Sequence, residues 1–327
     1  MSERAHSMKV VIGPSPYHPE EVIPELRTRF PELSFVHCED RAQLPAALAD
    51  AEVYFGWLTR DEFLAAKRLR WVQAASTGVD SFVRIPELRD SDVLLTNVRG
   101  VHAVALAEHA FAMIFAFTRG IKAYIEHQQQ HLWAVRSLRE SLVQLTGQTM
   151  GIVGLGTVGH ATAERAHAFG MRVIAVDLLP VHKPNYVDRL EGEAGLNALL
   201  AESDYVVITV PYTNRTRGMI GTDQLALMKP TAILIGVSRG GIIQEAPLIA
   251  ALQEGRLAAA ALDVFQTEPL PPDSPLWEVD NLIITPHAAG GYQSEAQTIR
   301  SVFVDNIARY VHGEFPLRNQ VDKQLGF

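Results

Sequence analysis

The chain is 327 residues long, 47% hydrophobic and 20% charged, with a formal net charge of −8. That length exceeds what one hydrophobic core usually serves, so two domains are expected, and the acidic balance argues against a partner held by its phosphate backbone, which selects a basic face. The single cysteine, Cys38, excludes an intrachain disulfide, nothing resembles a zinc cluster, and a reducing cytoplasm is the expected location.

Residues 1–7, MSERAHS, are polar and lack the apolar segment of a signal peptide, so they read as a frayed end. From 8 to 100, short apolar runs (MKVVIG, LSFVH, EVYFG, RWVQA, VLLTN) alternate with stretches of helical spacing such as PEEVIPELRTRF and RAQLPAALADA. This is an α/β pattern with a parallel sheet, and it contains no glycine fingerprint. Residues 101–130 read as one long helix leading out of this domain. Its most apolar part, 103–117, is split by Glu108-His109 and is too short to span a bilayer, so a buried or interface helix is expected.

A second α/β series begins near 147. Its strands are predicted at 149–154, 172–177, 205–210, 232–237, 257–265 and 281–286, several of them apolar at successive positions, as strands covered on both faces are. Six strands with helical crossovers match the doubly wound nucleotide-binding sheet of order 3-2-1-4-5-6. A last amphipathic helix follows Gly291 and runs to about Gly313, with Ala296, Ile299, Phe303, Ile307 and Tyr310 on its apolar face. It is expected to return to the first domain.

Gly154-Leu155-Gly156-Thr157-Val158-Gly159 is G-x-G-x-x-G, placed after a strand, at the start of a helix, and ahead of a second strand that ends in Asp177. Gly154 permits the tight turn, Gly156 lets the backbone approach a pyrophosphate, and Gly159 lets helix and strand pack closely. The helix N-terminus offers N–H groups and partial positive charge to the anion. Asp177, about 20 residues on, is placed to accept from the adenosine ribose hydroxyls. A 2′-phosphate would meet that carboxylate, and Leu178-Leu179 supply no arginine, so NAD is expected rather than NADP.

Ligands of such sheets bind beyond the carboxyl ends of the strands. There the first three strands supply the glycine loop, Asp177 and Val210-Pro211; the last three run into Arg239, Glu268 and His287, which should face the nicotinamide half. The segment 283–291, IITPHAAGG, puts a histidine where an apolar strand runs into a glycine loop, a place for a capping or core histidine or for a proton donor. Gly236-Val237-Ser238-Arg239-Gly240 also matches the nucleophile-elbow pattern G-x-S-x-G, with Asp263 and His287 following in α/β-hydrolase order. That reading leaves the glycine loop and Asp177 without a task, and no HGGG-type oxyanion segment is present. His127 and His131, four apart, read as a solvated helical face and not as a metal site; His102, His160 and His167 read as structural, and Trp57, Trp71 and Trp133 as packing residues.

Taken together, VGLGTVG (153–159), RVIAVD, VPYTNRTRGMI (210–220), LIGVSRGGII (234–243), LDVFQTEPLP (262–271) and TPHAAGG (285–291), with STGVD (76–80) and NVRGVHAVALAEH (97–109) upstream, resemble the D-isomer-specific 2-hydroxyacid dehydrogenase family over most of the chain. The resemblance implies a Rossmann cofactor domain (101–290, including a helical dimerisation region at 101–146) inserted into a flavodoxin-like substrate domain (1–100 with 291–327). It implies a homodimer, with Trp133 where some members reach into the neighbouring subunit's pocket. By resemblance Arg239 would hold the substrate carboxylate and carbonyl, Glu268 would pair with the acid and base His287, and the backbone at Thr77-Gly78 would bind the carboxylate. Thr157, Val158, Asp177, Val210, Val237, Ser238, Arg239, Asp263 and the loop from His287 through Gly290 would contact NAD. Gly236 stands where many members have asparagine, which is expected to loosen the turn presenting Arg239.

The implied reaction is hydride transfer between NAD(H) and a 2-oxo or D-2-hydroxy acid, with glyoxylate, hydroxypyruvate, bulkier 2-oxo acids and 2-ketoaldonates all open as substrates. The pocket is expected to draw on STGVD, YFGW (54–57) and the segment around Tyr292. A phosphite- or formate-oxidising enzyme, the latter disfavoured by Glu268, and a corepressor-like protein using NAD as a conformational ligand remain alternatives.

Overall fold

Five short strands, β1 (Lys9–Ile12), β2 (Ser34–His37), β3 (Val53–Phe55), β4 (Trp71–Gln73) and β5 (Leu94–Thr96), pair in parallel in the order β2-β1-β3-β4-β5. They come from a computed structural model that describes residues 7–133 and 141–327, so most of the segment read as a frayed end lies outside the described residues. Alternation along the strands feeds two cores. Val10, Ile12, Val53, Phe55 and Trp71 face one side, and Val11, Tyr54 and Val72 face the other. Both sides are covered, which is why these strands read as nearly continuous apolar runs.

The C-terminal helix Glu295–His312 covers one of those sides, burying Ile299, Phe303 and Ile307. The Phe303 ring lies 4.8 Å from that of Phe55. Gly313 ends the helix in the left-handed conformation at φ 69°, a common helix stop. Asn306, fully buried on this helix, donates to Gln73 Oε1 at 2.9 Å and to the Arg318 carbonyl at 3.0 Å, and accepts the Arg318 N–H at 2.8 Å. A buried amide so satisfied adds register to the contact without leaving an orphaned polar group.

The chain divides into two compact units, Met1–Val101 with Tyr292–Phe327, and His102–Gly291. The second holds seven parallel strands: β6 (Thr149–Val153), β7 (Arg172–Val176), β8 (Arg189–Glu191), β9 (Tyr205–Ile208), β10 (Ile233–Gly236), β11 (Ala259–Leu262) and β12 (Leu282–Ile284), in the order β12-β11-β10-β9-β6-β7-β8. The six-strand expectation is corrected here. β8, only three residues long with the sequence Arg-Leu-Glu, takes the edge next to β7 that had been assigned to residues 205–210. A short charged edge strand has no apolar signature, and that composition is what blunts an edge. The strand at 205–210 instead lies between β6 and β10, so Val210 and Pro211 leave the sheet beside the glycine loop, on the side of β10.

The long helix expected at 101–130 is two helices, Ala103–Thr118 and Ile121–Gln129, bent by 63° at Gly120, whose φ of 64° suits only glycine without strain. The first buries Ala110, Phe111, Met113 and Ile114 on the second sheet. The second buries none of its residues. Among the described residues no single helix is long and apolar enough to cross a membrane.

Candidate active site

Because every strand of the second sheet is parallel, the loops that follow β6, β7, β9, β10, β11 and β12 leave along one rim. The glycine loop follows β6. Gly154 has φ 99°, and a Cβ there would press on Val210 and Thr209. At Gly159 a Cβ would run into the Gly154 carbonyl, which is the close helix–strand packing expected of the third glycine. A Cβ on Gly156 would meet nothing within 4 Å, so the chain leaves open space above the one glycine meant to let a ligand approach. Gly156 is also the N-cap of helix Thr157–Ala168, and no side chain caps that end. An uncovered helix N-terminus beneath an open cradle, starting at Thr157 and Val158, fits a pyrophosphate. Asp177 closes the far side: its carboxylate accepts the N–H of Leu155 at 2.6 Å and of Leu179 at 2.8 Å. These bonds hold a charged group beside the loop, where a ribose hydroxyl can donate to it.

The neighbouring strands β10, β11 and β12 supply the reactive side chains. Gly236, Leu262 and Ile284 stand in register across the three strands, so the chains leave them at one level. After β10 come Val237, Ser238 and Arg239, whose guanidinium donates to the Ser238 carbonyl at 2.7 Å. Gly240 packs against the backbone beyond β11, where a Cβ would run into the Phe265 carbonyl, so the Arg239 turn is braced by the turn that carries Glu268. Gly236 itself is a paired strand residue flanked by β9 and β11, and a Cβ there would meet the side-chain ends of Leu262 and Ile243 at 2.8 and 3.0 Å. The looser turn expected from that glycine is therefore not found: the turn starts beyond it.

Glu268 uses both carboxylate oxygens. Oε1 accepts the Phe265 N–H at 2.8 Å, and Oε2 lies 2.6 Å from His287 Nδ1. A carboxylate only accepts, so Nδ1 carries hydrogen and Nε2 is left for proton exchange. The two side chains are 34% and 46% exposed, wet enough to meet a substrate. His287 has φ 52°, a left-handed conformation that costs a non-glycine residue about 1–3 kcal/mol and is seen where surrounding structure enforces it. The enforcement is visible. The His287 N–H donates to the Asp263 carbonyl at 2.8 Å. The Asp263 carboxylate, 1% exposed, accepts from Thr285 Oγ1 at 2.6 Å, Ala288 N at 2.9 Å and Ala289 N at 3.0 Å. Gly290 follows, its Cα facing His102.

This arrangement does not assemble a hydrolase triad. Ser238 Oγ is buried without a hydrogen-bond partner, Asp263 grips backbone N–H groups, and the imidazole is backed by Glu268. His131 lies outside the helix that carries His127, at φ 54°, so the two do not share a helical face. Among the described residues no group of three or more His, Cys, Asp or Glu could hold a metal. In the first unit, Thr77 and Gly78 lie beyond β4 in a turn tied by Ser76 Oγ to the Gly78 carbonyl at 2.7 Å and by Asn97 Nδ2 to the Thr77 carbonyl at 2.8 Å. Tyr54 cannot line a pocket as YFGW suggested: it is fully buried and its hydroxyl donates to the Trp57 carbonyl at 2.9 Å. Trp71 packs as expected, whereas Trp133 is 93% exposed and among the described residues does not pack as expected. Two partners of the His287 turn were not read from the sequence, Thr285 and His109. Both lie inside motifs on which the family resemblance rests, Thr285 at the start of TPHAAGG (285–291) and His109 at the end of NVRGVHAVALAEH (97–109), but with 176 positions between them nothing in the sequence pairs the two.

A family model described as D-isomer specific 2-hydroxyacid dehydrogenase, NAD binding domain, matches residues 111–289. A glyoxylate reductase of Korarchaeum cryptofilum is 35% identical over 282 residues, covering 85% of this chain and 81% of that protein. Among solved structures, a D-isomer specific 2-hydroxyacid dehydrogenase family protein from Aeromonas salmonicida superposes with a TM-score of 0.84 at 30% identity, covering 97% of this chain and 99% of that one. An NADPH-dependent glyoxylate/hydroxypyruvate reductase from Sinorhizobium meliloti, in complex with NADP and sulfate, gives a TM-score of 0.84 at 29% identity and covers 98% of this chain and all (100%) of that one.

Proposed function

The chain belongs to the D-isomer specific 2-hydroxyacid dehydrogenase family and is a nicotinamide-dependent 2-hydroxyacid oxidoreductase, and from that premise we propose that it interconverts a small 2-oxo acid and a D-2-hydroxy acid with NAD(H). The observation that carries this reading is the 2.6 Å contact between Glu268 and His287 Nδ1 on the strand-end rim that also carries Arg239 and the glycine cradle.

Gly154, Gly156, Thr157, Val158 and Gly159 hold the pyrophosphate in this proposal, and Asp177 takes the ribose hydroxyls. The bound dinucleotide supplies or accepts the hydride. During reduction, negative charge grows on the substrate carbonyl oxygen; protonated His287 delivers a proton to it from Nε2, and Arg239 stabilises that oxygen and orients the carboxylate with its planar fork. Glu268, fixed by the Phe265 N–H, holds the ring in the orientation this transfer needs. Reduction takes a proton from the imidazole and oxidation returns one to it.

NAD is proposed over NADP because the Asp177 carboxylate would repel a 2′-phosphate. The basic residues nearest after it in sequence are His182 and Lys183, and Lys183 Nζ donates to the Val187 carbonyl at 2.6 Å. Glyoxylate and hydroxypyruvate are the first substrates to test, since the relatives from Korarchaeum cryptofilum and Sinorhizobium meliloti carry those names. A homodimer is part of the proposal: helix Ile121–Gln129 buries none of its residues, and Ile121, Ile125, Leu132 and Trp133 are exposed. So is a cytoplasmic location, resting on the lone unpaired Cys38. The test is loss of NADH absorbance with a panel of 2-oxo acids. Turnover of a 2-oxo acid is expected; no oxidation of NADH or NADPH with any member defeats the proposal, and rapid labelling of Ser238 by a fluorophosphonate would replace it with the hydrolase reading.

A further inference from the structure

We propose that His109, on helix Ala103–Thr118, is a positioning residue for the His287 turn, acting through Thr285 and Asp263. The inference rests on the reading of His287 as the acid and base. Its ground is a continuous chain of hydrogen bonds whose direction the chemistry fixes. The Thr285 hydroxyl has one hydrogen, and at 2.6 Å from Asp263 Oδ1, which can only accept, that hydrogen points to the carboxylate. His109 Nε2, 3.0 Å from the same hydroxyl oxygen, must therefore donate to it. His109 thus carries hydrogen on Nε2, which also lies 3.8 Å from Asp263 Oδ1.

Asp263 then converts side-chain contacts into backbone geometry. Its two oxygens accept the N–H groups of Ala288 and Ala289, the residues directly after His287. The left-handed backbone at His287 is held on both sides along the chain: its own N–H by the Asp263 carbonyl, and the N–H groups of the next two residues by the Asp263 carboxylate. Without a donor at His109, the Thr285 hydroxyl loses the partner that holds its oxygen, and Asp263 is left with a less firmly placed donor. A buried, negatively charged clamp depends strongly on every donor around it. His109 touches neither the Glu268 nor the His287 side chain in this network, so its effect is on where the imidazole stands and not on what it does.

The experiment compares wild type with His109→Phe, which keeps ring volume and removes the donor, with His109→Gln, which restores an N–H donor, and with the near-isosteric Thr285→Val. Hydrogen exchange of the peptide spanning 285–291 is measured on the protein alone, and kcat, KM and NADH affinity are measured beside it. His109→Phe and Thr285→Val are expected to speed exchange in that peptide selectively and to lower kcat by up to roughly 10²-fold with the KM for the 2-oxo acid held, and His109→Gln to recover most of both. Unchanged exchange in Thr285→Val, or no recovery in His109→Gln, overturns the proposal; if His109→Phe loosens the whole unit, the Thr285→Val result decides. Should wild type reduce no 2-oxo acid, the functional reading fails while the exchange measurement still decides the role of His109.

Discussion

Asp263 and His287 are joined through the main chain: the His287 N–H donates to the Asp263 carbonyl at 2.8 Å, while the Asp263 carboxylate binds the two N–H groups that follow His287. The residue that would be the acid of a hydrolase triad is thus the mount of a histidine whose ring answers to Glu268. One buried carboxylate sets the position of the imidazole and another, half-exposed one sets its orientation, and the proposed chemistry follows from that division.

Replacing His287 by Asn removes the proton donor and keeps a small polar side chain. Turnover should fall by roughly 10²–10⁴-fold, with NADH affinity, measured by fluorescence titration, unchanged. A variant with near-normal turnover would remove His287 from the role.

Arg239→Ala should lower kcat/KM for the 2-oxo acid by roughly 10²–10³-fold, the usual loss for one donor to a developing oxyanion. The NADH dissociation constant should move little. Equal losses in both would mean that the turn beyond β10 has collapsed, since Gly240 packs against the Phe265 carbonyl.

Asp177→Ser removes the charge beside the glycine loop while leaving a hydroxyl. NADPH use should improve by about 10-fold or more relative to NADH, because like charges brought together cost several kcal/mol. Comparing kcat/KM for the two cofactors checks it, and an unchanged ratio would mean that Asp177 does not face the 2′ position.

Gly240→Ala places a methyl group against the backbone carbonyl of Phe265, where neither side can swing away. The expected cost is about 1–3 kcal/mol, read from urea unfolding, accompanied by a loss of activity because Arg239 rides on the displaced turn. Wild-type stability and activity in this variant would show that the two turns are not rigidly braced.

Light scattering after gel filtration should give twice the chain mass, and Ile125→Glu should shift the protein toward monomer by placing a charge one helical turn from Ile121 on the exposed apolar side of helix Ile121–Gln129. Wild-type protein that elutes as a monomer at all concentrations would leave that exposed apolar face without the proposed partner.

Much of this molecule was legible in the residues because the relevant signals are local. Strand and helix periods, the spacing of Gly154, Gly156 and Gly159, the acidic residue just after β7, and the runs into Arg239, Glu268 and His287 are each written within a few neighbouring positions, and backbone sterics enforce them wherever the chain goes. What depended on the tertiary structure was pairing at a distance. The charged strand β8 is a strand only because β7 offers it an edge. The bend at Gly120 uses a glycine the sequence displays, but which of the two helices is buried on the sheet and which buries nothing is decided by packing. The task of Asp263, and its link to His109 across the fold, exists only once β11, β12 and the helix Ala103–Thr118 are packed together. A hydrogen bond between residues 176 positions apart leaves no period in the chain, because register and packing, not neighbouring residues, decide which donor meets which acceptor.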